Sequence, residues 1–392
     1  VTPDEIARLR AETRGTQNVL HFNNAGSSLV PDCVHEAVVG HVQREREIGG
    51  YEAKDEAASA IESFYGEAAG LIGAAPDEIA FIENATRAWD MAFYSLPLGA
   101  GDVILTAAAE YSSNYLAYLQ IARRKGVVIR IVPDDSDGQT DVEALRRMID
   151  GRTRLISITH IPTHGGLVNP AVEIGRVARE HGIPYLLDAC QSVGQLAVDV
   201  NEIGCDMLSA TGRKFLRGPR GTGFLYVRRA LADRMEPVFV DLHSADWTSD
   251  DGYTLAPGAR RFENWECHYA GKLGLAVAMR YARAIGMQRI EARVLALARL
   301  LREQLQHVPG VTQTDTGRQR CGIITFVKDG IAATDVRNVL RRQSINVSVS
   351  SGERARFDLL RRGYGDVVRA SVHYYNTEDE IIRFCDALRR LG

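Results

Sequence analysis

A chain of 392 residues, 45% hydrophobic and 25% charged, has the size and composition of a globular protein with a large core, in two domains or one domain with an appendage. Its formal net charge of −3 offers no general attraction for nucleic acid or an anionic membrane, so neither is expected as a partner. The six cysteines (Cys33, Cys190, Cys205, Cys267, Cys321 and Cys385) are scattered without a CxxC pair, which excludes a zinc cluster or thioredoxin-like motif and suits reduced thiols in a cytoplasmic enzyme with no metal. The opening Val1-Thr2-Pro3-Asp4-Glu5 has no leader pattern, and no apolar run reaches membrane-spanning length.

In chain order, an apolar run at 79–82 meets Glu83-Asn84-Ala85-Thr86-Arg87 and then a helical pattern; a helix starting there would offer free N–H groups to a phosphate. Strands are expected at 103–106, 127–132, 155–159, 184–187 and 223–227, with helices at 113–124, 141–148 and 170–181. This alternation predicts an α/β fold: a mostly parallel sheet flanked by helices, whose ligands sit outside the carboxyl ends of the strands, where Asp188 and His160 fall. The polar stretch 242–257 reads as a long loop, a lid or a subunit contact. Helices at 267–284 and 288–306 follow, then segments at 321–327, 333–342, 347–350 and 367–374 that suggest a smaller C-terminal α+β domain. The last helix opens on a capping box, Thr377 with Glu380. The expected division is 15–260 for the large domain and 261–392 with 1–14 for the small one.

The most informative stretch is Ser209-Ala210-Thr211-Gly212-Arg213-Lys214-Phe215-Leu216-Arg217-Gly218-Pro219-Arg220-Gly221-Thr222-Gly223. A lone lysine in a Gly-rich, hydroxyl-bearing, basic loop suits a covalent bond to a phosphorylated carbonyl cofactor, with Thr211 and Arg213 as phosphate donors. Phe215 after the lysine excludes a Walker A loop, which needs Ser or Thr there. Upstream, Asp188 ends an apolar run and could hold a pyridine nitrogen protonated, with Gln191 on the phenolic oxygen; the two stretches together read as a pyridoxal phosphate site. Tyr111, at a strand-to-helix turn, could stack on a flat ring, and Arg369, in an alternating strand, could fork onto a carboxylate. Taken singly each has a plainer reading: a surface lysine, a helix-capping aspartate, a core tyrosine, a solvated strand arginine.

Four stretches in this order and spacing resemble the class V aminotransferase family of fold-type I pyridoxal phosphate enzymes, over nearly the whole chain. They are Phe22-Asn23-Asn24-Ala25-Gly26, Asp188-Ala189-Cys190-Gln191-Ser192-Val193-Gly194, Thr211 to Gly223, and Arg369-Ala370-Ser371 with Tyr375-Asn376-Thr377. The resemblance implies that Lys214 holds the cofactor covalently and shuttles the Cα proton. It places Asp188 on the ring nitrogen, Gln191 on the phenolic oxygen, Tyr111 where many members have a stacking histidine, and Ala85, Thr86, Thr211 and Arg213 on the phosphate. It gives Arg369 the substrate carboxylate, Asn24 and Ala25 the substrate side, and Thr163 the position of a cofactor-proximal asparagine. Glu266 stands near the usual partner-subunit threonine. Homodimers are usual in the family.

Cysteine desulfurases in the family carry a mobile catalytic cysteine ahead of that arginine, and residues 347–354 contain none. The segment around Gly49-Gly50-Tyr51 and the form of the lysine loop look most like ergothioneine-type C–S lyases. The resulting expectation is a C–S β-lyase that splits a cysteine S-conjugate into a sulfur product, pyruvate and ammonia, in preference to a desulfurase. Tyr51, His164, Arg217 and His243 are expected around the substrate mouth. Alternatives are an amino-acid epimerase, transamination or oxidative decarboxylation of an S-conjugate, and a non-catalytic scaffold on the same fold.

Overall fold

The computed structural model describes residues 2–391; Val1 and Gly392, the outer ends of the predicted small domain, lie outside the described residues. Helix α1 (Pro3–Ala11) opens on a Thr2/Glu5 capping box. Strand β1 (Leu20–His21) precedes helices α2 (Asp32–Ile48), α3 (Gly50–Glu56) and α4 (Ala58–Ile72). The α/β portion begins with β2 (Ile79–Ile82), α5 (Ala85–Tyr94), β3 (Val103–Ala107), α6 (Ser112–Lys125), β4 (Val128–Val132) and α7 (Val142–Met148). It continues through β5 (Thr153–Thr159), α8 (Ala171–Glu180), β6 (Tyr185–Asp188), α9 (Val200–Ile203), β7 (Met207–Thr211) and β8 (Gly223–Val227). After α10 (Arg229–Ala232) come β9 (Ala245–Ser249), β10 (Gly252–Leu255), α11 (Tyr269–Ile285) and α12 (Met287–Gln306). The chain closes with β11 (Val311–Gln313), β12 (Ile323–Lys328), α13 (Ala333–Arg342), β13 (Ile345–Asn346), β14 (Ser348–Ser350), β15 (Val367–Ser371) and α14 (Glu378–Arg389).

The central sheet has the order β2-β8-β7-β6-β5-β3-β4; β8 is antiparallel to both neighbours and the other pairings are parallel. Parallel neighbours need crossovers, and α6, α7, α8 and α9 supply them in the alternation read from the sequence. Successive strand residues point to opposite faces. Ile104, Leu155, Leu186, Met207 and Leu225 therefore enter one core cluster, while Leu105, Ile156, Leu187 and Leu208 enter the other. The sheet order reverses between β3 and β5, which makes the carboxyl ends of these two strands and of β6 the natural ligand crevice.

A second sheet, β11-β12-β15-β14, is antiparallel throughout. The N-terminal segment joins this region: β1 pairs with β13, and Asn23 bridges to Ser371. Helix α14 carries the expected capping box. Two expectations need correction. Residues 242–257 are no plain loop, because β9 and β10 form a hairpin there. The strand formers Trp247, Thr248, Tyr253 and Thr254 flank an Asp-Asp-Gly turn within the polar composition. Strand β7 was also absent from the expected set; its sequence Met-Leu-Ser-Ala-Thr has no β-branched residue before the final threonine, and it forms because β6 and β8 pair with it on both sides.

Candidate active site

Lys214 stands three residues beyond the end of β7, in the turn that leads back to β8. The turn is seated against Gly194, which has φ +97° and where a Cβ would lie 2.4 Å from the carbonyl carbon of Phe215. Only glycine permits both that backbone angle and that approach, so the Asp188–Gly194 motif packs directly on the lysine turn. Lys214 is buried, and its pKa is lowered chiefly by that burial, with Arg213 and Arg369 acting in the same direction and Cys190 and Asp188 against it.

Asp188 ends β6 facing the same small cleft as Lys214. Its carboxylate accepts from Cys190 N at 3.0 Å and from Asn114 Nδ2 at 3.0 Å. Tyr111 is the N-cap residue of α6, half-buried, and lines that cleft too. At the far end Ala85 and Thr86 form the first turn of α5. Asn84 caps it by accepting from Arg87 N at 3.0 Å. Gly223 lets β8 run against this helix start, since a Cβ there would sit 3.3 Å from Ala85 N. First-turn N–H groups, with Thr211 and Arg213 beside them, make an anion cradle.

The remaining edge comes from two distant segments. On β15, Arg369 donates through Nη1 to Thr163 O at 2.9 Å and Thr163 Oγ1 at 2.7 Å. Gln191 donates to the same Thr163 hydroxyl at 2.8 Å and to Ala25 O at 3.1 Å. Ala25 and Asn24 are themselves fixed to β15, by Ala25 N to Ser371 Oγ at 2.9 Å and Asn24 Nδ2 to Ser371 O at 2.7 Å. Arg213 donates to Gly26 O, tying the lysine turn to the same segment. Burial first, then Arg213, lowers the Arg369 pKa to about 10.

Nine of the residues singled out from the sequence therefore line one cleft: Lys214, Asp188, Gln191, Tyr111, Ala85, Thr86, Thr211, Arg213 and Thr163. Arg369 and Ala25 are bonded to its edge through Thr163 and Gln191, and Asn24 stands behind them, fully buried. Tyr51 does not join them. It is 71% exposed on α3 and lines a separate cleft of about 670 Å³ with Glu263, Glu266 and Cys267. Three of the expected mouth residues are also placed otherwise. Arg217 is fully buried and donates to Leu29 O, Tyr374 OH and Thr13 Oγ1, which makes it a structural clamp, while His243 bonds Glu263 in the outer cleft. His164 is buried and borders a neighbouring cleft of about 780 Å³ that shares Tyr111 with the lysine cleft. Several site residues escaped the sequence reading: Glu110, Asn114, Thr159 and Cys190. Glu110 and Asn114 had a signal, being four apart on either side of a helix start next to Tyr111.

The cleft at Lys214, about 80 Å³, is far smaller than its neighbours. Its chemistry distinguishes it, for it joins an amine, a carboxylate and the N–H groups of a helix start. Two polar atoms at this site, Gln191 Oε1 and Arg369 Nε, are buried without a hydrogen-bond partner among the described residues. Unsatisfied buried polar groups are few in folded proteins. The Arg369 donor suits a substrate carboxylate and the Gln191 oxygen can accept from a ring hydroxyl, so with the helix start and the Asp188 carboxylate the residues suit a phosphorylated pyridine aldehyde carrying an amino-acid substrate. No group of metal-ligating side chains occurs among the described residues, and no helix among them is long and apolar enough to cross a membrane.

The family model for aminotransferase class V matches residues 20–384. This chain belongs to the class V aminotransferase family. A "Probable cysteine desulfurase" of Methanothermobacter thermautotrophicus is 32% identical over 328 residues, covering 83% of this chain and 82% of that protein. One of the same name from Xylella fastidiosa is 32% identical over 380 residues, covering 95% and 91%. The apo structure of a cysteine desulfurase from Thermococcus onnurineus NA1 matches with a TM-score of 0.91 at 28% identity, over 100% of this chain and 98% of that one. The fold is that of the fold-type I pyridoxal phosphate enzymes, and the chain is a pyridoxal phosphate-dependent enzyme of the C–S lyase type. The comparisons overturn the expected S-conjugate β-lyase, because the relatives at 32% identity bear the desulfurase name. The lack of a cysteine in 347–354 was weighed too heavily. It removes one sulfur acceptor from the chain and says nothing of the chemistry at the substrate Cα.

Proposed function

We propose that this enzyme takes sulfur from L-cysteine, leaving L-alanine. The observation that carries the reading is the convergence of the Lys214 amine, the Asp188 carboxylate and the α5 cradle on one cleft, in a chain 32% identical to proteins named probable cysteine desulfurases. Pyridoxal phosphate, when bound, supplies an electron sink for charge at the substrate Cα. The chain's own residues do the rest. Ala85, Thr86, Thr211 and Arg213 bind the phosphate, and Asp188 holds a proton on the ring nitrogen. Gln191 faces the phenolic oxygen, Tyr111 covers the ring, and Arg369 binds the substrate carboxylate with Asn24 and Ala25 beside it. Lys214, kept less basic by burial, removes the Cα proton and returns protons to the product.

The Cβ–S bond breaks and its electrons stay with Cβ, which takes up a proton; the sulfur forms an S–S bond with a thiol acceptor. The sum is cysteine plus thiol giving alanine plus persulfide. The acceptor is a thiol outside the chain. Residues 347–354 offer none, and burial with the neighbouring Asp188 raises the Cys190 pKa and keeps that thiol protonated.

Residues 15–260 and 261–392 with 1–14 serve as the two domains, with the site between β3, β5 and β6 of the first and β15 of the second. A homodimer is supported by large exposed apolar side chains in one stretch, Phe239, Leu242, Trp247, Tyr253 and Trp265, with Tyr51 on α3. Six free cysteines support a cytoplasmic setting. Holoenzyme incubated with L-cysteine and a dithiol is expected to yield alanine and sulfide in equal amounts. Pyruvate and ammonia in place of alanine would sink this reading.

A further inference from the structure

Behind Asp188 lies a buried polar cluster that reaches the cleft through Asp188, Tyr111 and Thr159. The Asn114 side-chain amide has two hydrogens, and both are taken by carboxylates: Glu110 Oε1 at 3.0 Å and Asp188 Oδ2 at 3.0 Å. Glu110 is itself fixed from three elements. It accepts from Tyr111 N at 2.8 Å and from Thr106 Oγ1 at 3.0 Å, and on β5 from Thr159 N at 3.2 Å and the Thr159 hydroxyl. Asn114 and Glu110 are 2% and 6% exposed. The titratable groups facing Glu110 are Asp188 and Tyr185 on β6 and Tyr118 on α6.

We infer that Asn114 and Glu110 are positioning residues for the cofactor: Asn114 clamps one oxygen of Asp188, Glu110 anchors Asn114, and together they set how strongly Asp188 holds the ring nitrogen. The physical basis is that a carboxylate opposite a ring nitrogen must keep one orientation. Cys190 N alone fixes only one Asp188 oxygen, leaving the second free to rotate away. The amide of Asn114 closes that freedom, and it cannot itself swing aside while Glu110 holds its other hydrogen. Glu110 also bonds the backbone of Tyr111, so the same anchor sets the start of α6 beside the cleft. The inference rests on Asp188 being the partner of the ring nitrogen.

A double-mutant cycle on cofactor affinity tests it. Apo-proteins of the wild type, N114A, D188A and N114A/D188A are titrated with pyridoxal phosphate, following quenching of intrinsic fluorescence. N114A is expected to weaken binding about tenfold in the wild type, as expected for a hydrogen bond to a charged group, and to have no effect on D188A. N114A is also expected to move the pH midpoint of the visible band of the Lys214-bound cofactor. E110Q, whose amide nitrogen must face either the Tyr111 or the Thr159 backbone N–H, is expected to weaken binding less than N114A does, and E110L to match N114A. Should N114A not fold, N114S carries the same cycle. Equal weakening by the Asn114 variant in both backgrounds, or wild-type affinity in folded E110L, overturns the clamp. A D188A protein that binds as tightly as the wild type overturns instead the role of Asp188 on which the clamp depends.

Discussion

The molecule buries two lysines beside carboxylates, and only one of them belongs to the cleft that carries the chemistry. Lys272 on α11 donates to Tyr65 OH at 2.5 Å and lies 4.2 Å from the centre of that ring. Its carboxylate, Glu263, accepts from Phe81 N at 2.7 Å, Tyr65 OH at 2.9 Å and His243 Nε2 at 2.9 Å. That cluster is closed, each group meeting a partner within the chain, and it joins α4, β2 and α11. Around Lys214 the pattern is incomplete. Gln191 Oε1 and Arg369 Nε lack partners among the described residues, and a helix start presents its first-turn N–H groups to the cleft. A buried lysine near a carboxylate is thus common to a brace and a binding site. Open hydrogen-bonding capacity gathered beside a helix start and a carboxylate separates them, whereas orphaned atoms elsewhere, such as Trp89 Nε1 and Tyr226 OH, stand singly in the core.

The sharpest way to break this contrast is to remove each amine in turn. Lys214→Ala is expected to lower turnover of L-cysteine by a factor of about 10³ or more and to abolish the visible absorbance of the covalently held cofactor. It should leave the unfolding midpoint of the apo-protein at or above that of the wild type, since a buried cation without a full set of partners is removed. Lys272→Met should do the opposite. It removes the donor to Tyr65 OH and a nearby cation from Glu263, and urea unfolding should show a loss of about 2 kcal/mol while the visible band persists. If Lys272→Met removed the band and spared stability, the division into brace and site would be wrong.

The two clusters also differ in how far the sequence revealed them. Lys214, Asp188 and Gln191 were legible because their chemistry is local: glycines and hydroxyls flank the lysine, and an apolar strand ends on the aspartate. The α/β alternation was legible for the same reason, since crossover helices follow their strands directly. Asn114 was not, because its bond to Asp188 spans 74 residues and exists only through the sheet order that sets β3 beside β5 and β5 beside β6. Thr159 lies 48 residues from Tyr111, whose backbone it accepts. Tyr51, expected at the substrate mouth from a Gly-Gly-Tyr segment like that of ergothioneine-type C–S lyases, stands exposed on α3 and lines a cleft separate from that of Lys214. The reading of the substrate failed through an inference from a missing cysteine, which spoke to where sulfur goes and not to which bond breaks.

Acidity sharpens the comparison further. Glu110 is pushed up to about 7, first by burial and also by Asp188, so between pH 4.5 and 7 the folded chain keeps a proton that the unfolded chain releases. This carboxyl therefore makes the protein less stable as pH rises through that window. Three buried histidines act in reverse: His21, His160 and His164 are lowered to about 4, so the unfolded chain binds protons below pH 6.5 that the fold does not, and stability rises with pH. The opposing slopes hide each other in the wild type. Comparison with Glu110→Gln isolates one of them: the stability of the wild type relative to this variant is expected to fall by about 3 kcal/mol from pH 4.5 to 7 in apo-protein urea titrations. A constant difference across that range would show that Glu110 is ionised throughout.

The smallest expected effect tests whether bonds already made inside the site matter less than the capacity left open. The Thr163 hydroxyl accepts from both Gln191 and Arg369, at 2.8 and 2.7 Å, so it orders one group assigned to the cofactor and one assigned to the substrate. Thr163→Val keeps the shape and removes that shared acceptor. Arg369 retains its bond to Thr163 O at 2.9 Å, so the guanidinium stays in place with one orientation less firmly set. The loss of a hydrogen bond to a charged donor should raise KM for L-cysteine about tenfold. The proton transfer by Lys214 does not pass through this hydroxyl, so kcat should stay within about twofold. A fall in kcat with KM unchanged would instead place Thr163 in the reacting constellation, and the boundary between the site's braces and its working groups would have to be redrawn around it.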